Sequence, residues 1–184
     1  MHDGMRVRST ALRLAPLLVA AALAGAAALP APALAAGACA GAGLRPSPAR
    51  TASLSQTTLC LLNRQRAQHG LRALHSNSRL ALAARRHTRD MVVHNFFAHG
   101  DLLGRLARAG YFRGRRSWSV GENIAWGSGS SATPGAIVSM WMQSPGHRAN
   151  ILNGRFHEIG VGLVAGAPVP GVRGAATYTT DFGG

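Results

Sequence analysis

The chain has 184 residues and a formal net charge of +14, because 20 Arg or Lys residues outnumber six Asp or Glu residues. This length suits one domain with a single core, and the presence of only two Cys residues excludes a disulfide-rich scaffold. Every basic residue is Arg, and so basic a chain is expected to be drawn to acidic polymers.

Residues 1–35 have the three parts of a secretory signal. Arg6, Arg8 and Arg13 form a basic start, residues 14–29 form an apolar run, and residues 33–35 form a small-residue cleavage site. The apolar run is too short and too Ala-rich to predict a membrane span. We therefore predict a cleaved signal, a secreted protein and a mature chain without a transmembrane span. The alternative is an uncleaved anchor.

The two cysteines predict a disulfide. Export places Cys39 and Cys60 in an oxidising compartment, where a bond would tie the N-terminal segment to the first helix. Lipidation of Cys39 is an alternative, although residue 36 is Ala where a lipoprotein signal usually carries Leu. Gly, Ala, Pro and Ser dominate residues 36–52, which predicts a flexible N-terminal arm before a domain over residues 53–184.

Four helices are predicted from apolar spacing and from residues that favour helix ends. They cover residues 53–69, a segment from Ser76 or Asn77 to His94, residues 101–109, and a segment from Thr133-Pro134 to near Pro145-Gly146. Extended segments are predicted at residues 120–126, 159–165 and 175–182, and a mobile linker at residues 127–131. Because the helices come first and two strands come late, we predict an α+β fold with a small antiparallel sheet.

Two histidines and one glutamate are the strongest candidates for a functional site. His99 follows the second predicted helix, His147 follows the fourth, and Glu122 lies among apolar or small residues. A carboxylate in such a segment is costly to bury unless it has a partner. If the fold brings these groups together, they could hold a divalent metal or move protons. Taken singly, each is better explained as a capping, packing or structural residue.

Two further polar residues and two further histidines are weaker candidates. Ser144 has no neighbouring Asp and no nucleophile motif, which argues against a serine hydrolase. Asn123 is expected mainly to set the conformation of its loop. His87 falls on the apolar side of the second helix and is interpreted as packed core, and His94 lies seven residues further along the same helix.

Several short motifs occur in a fixed order along the chain. They are Asn63-x-x-Arg66, Phe97-x-His99, Arg105 before Ala109-Gly110-Tyr111, Gly121-Glu122-Asn123-Ile124-Ala125, Trp141-x-x-Ser144-Pro145-Gly146-His147-Arg148-x-Asn150-Ile151-Leu152, and Ile159-Gly160-Val161-Gly162. In this order they resemble the bacterial members of the CAP superfamily, which comprises cysteine-rich secretory proteins, antigen 5 and pathogenesis-related 1 proteins and is also called the SCP domain. The resemblance covers about residues 55–183.

The resemblance implies a three-layer α-β-α sandwich with a cleft that commonly holds two His and two Glu. By matching motifs, His99 and His147 resemble the metal-binding histidines, with zinc as the first candidate, and Glu122 resembles the first acid. Ser144 occupies the position of the second acid, so the chain lacks a second carboxylate there. Ser144 and Asn123 complete the candidate ligand cleft.

Three functions follow as hypotheses. The first is a secreted, monomeric binding domain whose cleft takes a divalent metal and a small or lipid-like ligand, or which contacts an anionic cell-envelope polymer. The second is a metal-dependent hydrolase or peptidase in which Glu122 acts as a general base towards metal-bound water. The third, nucleic-acid binding, ranks last because no nucleic-acid motif accompanies the scattered Arg residues. Binding ranks above catalysis, since members of the superfamily share the cleft without one agreed activity.

Overall fold

Residues 39–184, the part of the chain that our computed structural model describes, contain five α-helices and four strands. The predicted signal at residues 1–35 lies outside these described residues. The helices are α1 (Thr51–Gln68), α2 (Ser78–His94), α3 (Leu102–Arg108), α4 (Pro134–Gln143) and α5 (Pro145–Ile151). The strands are β1 (His75–Ser76), β2 (Val120–Ser128), β3 (Glu158–Ala165) and β4 (Ala175–Gly183). Within these residues, no helix combines the length and apolar character that crossing a membrane requires.

The strands form one sheet in the order β1-β3-β4-β2. β4 pairs antiparallel with both β2 and β3, which confirms the predicted antiparallel arrangement of the three long strands. β1 was not predicted, and its two residues pair in parallel with the start of β3, so the complete sheet is mixed. Within the described part of the chain, β2 is an edge strand.

Helices cover both faces of the sheet, which confirms the predicted α+β class and the three-layer sandwich that the resemblance implied. On one face, a continuous apolar core joins α1 and α4 to the sheet; its large members include Leu54, Leu62, Ile137, Trp141, Tyr178 and Phe182. On the other face lies α2, where the Thr88 hydroxyl donates to the Thr179 hydroxyl at 2.8 Å. The alternation of side chains along each strand separates these two faces.

Helix starts follow the predicted caps. The Asn77 side-chain oxygen accepts from the backbone N–H groups of Arg79 and Leu80 at 2.9 and 3.2 Å. Thr133 caps α4 by accepting from the N–H of Ala136 at 3.3 Å, with Pro134 at the first helical position. A side-chain oxygen at the cap satisfies N–H groups that have no partner inside the helix.

The prediction of a mobile linker at residues 127–131 is wrong. Gly127 and Ser128 continue β2, where Ser128 is the register partner of Ala175, and Gly129–Ala132 forms a 3-10 helix. A high content of Gly and Ser indicates only a weak local preference for strand. Pairing with β4 overrides this preference and extends β2.

The segment after α4 is also more regular than predicted. α4 stops at Gln143, but after Ser144 a second helix, α5, begins at Pro145. Proline cannot continue a helix but is favoured at the first position of a new one, because its fixed φ suits the helix and its missing N–H is not needed there. His147 therefore lies inside a helix rather than in a loop.

The predicted disulfide between Cys39 and Cys60 is confirmed, with the two Cα atoms 5.8 Å apart. Residues 39–50 also contact α1 and α4 through hydrogen bonds. The Thr57 hydroxyl donates to the Ala40 carbonyl at 2.7 Å, and the Gly135 N–H donates to the Ala42 carbonyl at 2.9 Å.

The Asn63-x-x-Arg66 motif has a structural role, which the contacts of Arg66 explain. Its buried guanidinium donates to four backbone carbonyls at 2.8–3.0 Å, those of Arg72, Ile151, Asn153 and Phe156. This ties α1 to the chain that leaves α5. A buried guanidinium solvated in this way needs no carboxylate, because carbonyl oxygens satisfy its donors.

Two glycines of β3 allow α2 to lie directly on the sheet. A Cβ added at Gly160 would lie 2.1 Å from the backbone of Leu80 and Ala81, and one at Gly162 would lie 2.5 Å from the backbone of Ala84. Backbone atoms of a packed helix cannot move aside without displacing the helix.

We therefore expect Gly160→Ala to destabilise the protein by about 2–3 kcal/mol or more, because the added methyl group overpacks the contact between β3 and α2. The free energy of unfolding in urea measures this. Gly43→Ala is the matched control, since a Cβ there meets no atom within 4 Å. Equal stability of the two variants would contradict the account of this contact.

Candidate functional site

Glu122 is a buried carboxylate on the edge strand β2, and both of its oxygens are engaged. Its side chain is 2% exposed. The Nδ1–H group of His99 donates to Oε1 at 2.7 Å, and Nη2 of Arg105 forms an ion pair with Oε2. A carboxylate so buried is tolerated only where charged and hydrogen-bonding partners replace water, and this site supplies both.

Arg105 holds two parts of the site together. Besides its ion pair with Glu122, its Nη1 donates to the backbone carbonyl of His99. α3 carries Arg105, and Asp101 caps this helix by accepting from the N–H of Gly104 at 2.8 Å. One guanidinium therefore fixes the imidazole-bearing loop after α2 relative to the carboxylate on β2.

His87 lies behind this ion pair. It is 3% exposed, its Nε2–H group donates to the Ala98 carbonyl at 3.0 Å, and Nε2 is 4.0 Å from Oε2 of Glu122. Burial, followed by the positive charge of Arg105, lowers the pKa of His87, so the ring is neutral at pH 7. His87 is buried, as predicted, but its position beside Glu122 was not predicted.

His94 lies outside the site. Its ring is 65% exposed and pairs with Asp90 at 2.7 Å.

His147 approaches β2 from the opposite layer, because α5 lies on the α4 side of the sheet. Asn123 anchors this helix: its side-chain amide donates to the His147 carbonyl at 3.1 Å and its side-chain oxygen accepts from Asn150 at 2.9 Å. Asn150 also donates to the Glu122 carbonyl at 3.1 Å. A Cβ at Gly121 would lie 3.0 Å from Asn150, so the Gly-Glu-Asn motif allows α5 to approach the strand.

The His147 ring is half-buried and, within the described residues, its Nδ1 has no hydrogen-bond partner. Burial, followed by the charge of His99, lowers the pKa of His147. The unpartnered Nδ1 atom of His147 is itself buried.

Ser144 and Asn123 occupy different positions with respect to the cleft. Ser144 is half-buried at the junction of α4 and α5, three residues before His147. Asn123 is fully buried, and its side chain is used to hold α5, so it positions His147 and offers no exposed surface to a ligand.

Asp181 is the residue that the sequence analysis missed, and it supplies a second carboxyl group from β4. It is the direct cross-strand partner of Glu122, which places both side chains on the same face of the sheet. It is fully buried, and no donor among residues 39–184 reaches either of its oxygens. The available signal was an acidic residue in a segment otherwise typical of a buried strand.

Burial, followed by the negative charge of Glu122, raises the pKa of Asp181 well above its ordinary value. Glu122 has two cationic or hydrogen-bonding partners and Asp181 has none, so Asp181 is the member of the pair that keeps the proton. Of the two groups, Asp181 is therefore the one whose neutral, protonated form is favoured. Two carboxylates this close would repel each other in a medium of low dielectric constant.

In the described part of the chain, no three His, Cys, Asp or Glu side chains are grouped so as to hold a metal ion.

The order of the motifs and the three-layer sandwich together define an SCP-type domain. The sequence profile of the cysteine-rich secretory protein family, CAP, matches residues 59–172, and the chain belongs to this family.

Proteins of Bacillus are among those similar to this chain. It is 39% identical over 105 residues to the uncharacterized protein YkwD of Bacillus subtilis (strain 168), a match that covers 56% of this chain and 40% of YkwD. A crystal structure of an extracellular protein containing a SCP domain from Bacillus anthracis str. Ames is similar with 28% identity and a TM-score of 0.56, covering 74% of this chain and 43% of that one. The chain thus spans less than half the length of these two relatives.

A third similar structure supports the fold alone. It is that of an outer surface protein from Borrelia burgdorferi, which is 17% identical with a TM-score of 0.55, over 70% of this chain and 90% of that protein.

The protonated state of Asp181 makes stability depend on pH. A group whose pKa is raised on folding stabilises the native state fully only below its unfolded pKa, about 4 for Asp, and that contribution is lost as pH rises towards its folded pKa. We expect Asp181→Asn to flatten this decline and to raise the free energy of unfolding at pH 7.

Urea unfolding between pH 5 and pH 8 measures this effect. Asp90→Asn is the control, because the Asp90 side chain is 53% exposed and its loss should leave the pH dependence unchanged. A variant Asp181→Asn that is less stable than the parent at pH 7 would show that Asp181 is ionised in the folded protein.

Proposed function

We propose that this CAP-domain protein is exported and acts as a binding module, whose cleft holds a divalent metal ion, zinc in the first instance, between His99 and His147. The metal and the surrounding cleft would together take a small or lipid-like ligand. When bound, such an ion polarises an oxygen atom of the ligand.

The hydrogen bond between His99 and Glu122 is the observation that carries the proposal. Because Nδ1–H donates to the carboxylate, the neutral tautomer of His99 has its lone pair on Nε2, and the side chain is 56% exposed. Histidines that bind metals usually donate their other ring N–H to a carboxylate or carbonyl, which orients the ring and increases its basicity. Glu122 is therefore better placed behind the ligand His99 than as a ligand itself.

His147 completes the pair. Burial lowers the pKa of His147, which favours the neutral ring that metal binding requires. Because Nδ1 is buried, we assign the metal to Nε2. Two imidazoles provide half of a tetrahedral shell, so water or a bound ligand has to supply the rest. We expect a modest affinity and an open coordination position.

The same contacts favour binding over hydrolysis. A general base needs an oxygen that is free to accept a proton from water, and both oxygens of Glu122 are engaged by His99 and Arg105. The second carboxyl group, Asp181, is buried, and its raised pKa favours the protonated form, which cannot act as a base. The metal-dependent hydrolase therefore remains the second candidate function.

An exposed aromatic residue next to His99 in the sequence supports a ligand with an apolar part. Phe97, two residues before His99, exposes 43% of its surface. An exposed aromatic ring offers contact area for a hydrocarbon or ring system.

Export is supported by three independent features. Residues 1–35 have the sequence pattern of a secretory signal, and Cys39 and Cys60 form a disulfide, which is typical of oxidising compartments. One of the similar structures is that of an extracellular protein.

We expect zinc to bind the protein with its signal removed, and the double variant His99→Ala, His147→Ala to weaken this binding by more than about tenfold. Isothermal titration calorimetry with zinc alone measures both affinities. The matched control is His75→Ala with His94→Ala, which removes two exposed imidazoles elsewhere. Equal zinc affinity of the site variant and the parent would overturn the assignment.

Glu122→Gln separates binding from hydrolysis. We expect zinc affinity to fall about 10- to 100-fold, because the carboxylate behind His99 is lost, and we expect no hydrolysis of peptide or ester substrates by the parent. Hydrolysis by the parent that disappears in Glu122→Gln, with zinc affinity retained, would instead establish the hydrolase.

A further inference from the structure

A pocket that is lined by residues of α2 and α3, including His87 and Arg105, lies between these two helices. Its volume is about 230 Å³. The small residues Ala83 and Ala109 leave this space open, and the side chains around it are His87, Arg105, Arg86, Arg108 and Asp90. Pockets for drug-sized ligands begin at about 300 Å³, so this one has the size of a subsite for a single chemical group.

The charge of this pocket is not balanced from within the protein. Among residues 39–184, Arg86 makes no salt bridge, and Arg108 makes only an exposed contact of 3.9 Å with Asp101. The carboxylate in the pocket, Asp90, is paired with His94 at 2.7 Å. Arg105 is already paired with Glu122, so Arg86 and Arg108 are the two pocket guanidinium groups without a close carboxylate partner in the described chain, and they lie beside the single carboxylate of Asp90.

The other carboxyl groups of the described chain cannot supply the missing charge. Glu158 is held by Arg115, Tyr111 and Asn77, and Glu122 and Asp181 lie together in the cleft. The positive charge around the α2–α3 pocket therefore favours an external anion.

We propose that the α2–α3 pocket binds a phosphate ester. Guanidinium groups bind phosphate oxygens through paired N–H donors, and Arg is preferred over Lys where this geometry matters. Asp90 adds an acceptor for a hydroxyl group next to the phosphate, which favours a small polyol phosphate over a bare dianion. The pocket is distinct from the cleft, although Arg105 and His87 contribute to both.

The test uses the protein with its signal removed, at constant ionic strength, and inorganic phosphate and glycerol 3-phosphate as probes. We expect glycerol 3-phosphate to bind more tightly than phosphate, and Arg86→Gln with Arg108→Gln to weaken both by at least about tenfold. Arg85→Gln with Arg116→Gln removes the same charge from exposed positions outside the pocket and should change affinity by less than about twofold.

A third variant, Ala109→Leu, fills the pocket without changing charge and should abolish binding. Saturable binding that Ala109→Leu leaves intact, equal losses in the two double variants, or no binding at millimolar probe would each overturn the proposal.

Vesicles containing phosphatidylglycerol distinguish the source of the ester. Pocket-dependent retention on vesicles identifies a lipid headgroup, and binding of the soluble ester alone identifies a free metabolite; both support the site.

Discussion

The ion pair between Arg105 and Glu122 is the interaction on which the site depends. Glu122 lies on the edge strand, Arg105 on α3 and His99 on the loop after α2, and the guanidinium contacts both of the other residues. Removal of one partner from a buried pair leaves an uncompensated charge and typically costs about 3–5 kcal/mol. His99 is therefore held in place by the groups that compensate the charge of the buried Glu122 carboxylate.

This compensation also determines the state of Asp181. Because Arg105 and His99 satisfy Glu122, its cross-strand neighbour is left without a cation and keeps its proton. The carboxylate of Glu122 then supplies one fixed negative charge behind the His99 ring. The His147 ring lies on the other side of β2, where Asn123 and Asn150 hold α5. Such an arrangement orients two neutral donors, which suits a site that holds a ligand.

The scarcity of acidic residues connects the cleft with the rest of the surface. Each buried or half-buried carboxyl group in the described chain serves the fold or the cleft, so the arginines of α2 and α3 have few internal partners. Their excess gives the α2–α3 pocket its positive charge. The buried Arg66 shows the contrasting solution, in which carbonyl oxygens alone satisfy a guanidinium.

Local signals predicted much of the fold and part of the site. Nearby residues determine the helix caps at Asn77 and Thr133 and the alternation of β3, and these were predicted. The disulfide was predicted from export. The proximity of His99 and Glu122 came from the resemblance, since spacing along the chain carries no information about closure in space. Asp181 and β1 were missed because only strand register reveals them.

The central claim is that the cleft contains one ionised and one protonated carboxyl group, and the carboxyl carbon resonances of Asp181 and Glu122 test it most directly. Nuclear magnetic resonance with ¹³C-labelled Asp and Glu, assigned through Asp181→Asn and Glu122→Gln, reports each group between pH 4 and pH 9. The account predicts that at pH 7 Asp181 has the chemical shift of a carboxylic acid and Glu122 that of a carboxylate. An ionised Asp181 at pH 7, or a proton on Glu122 in its place, would contradict it.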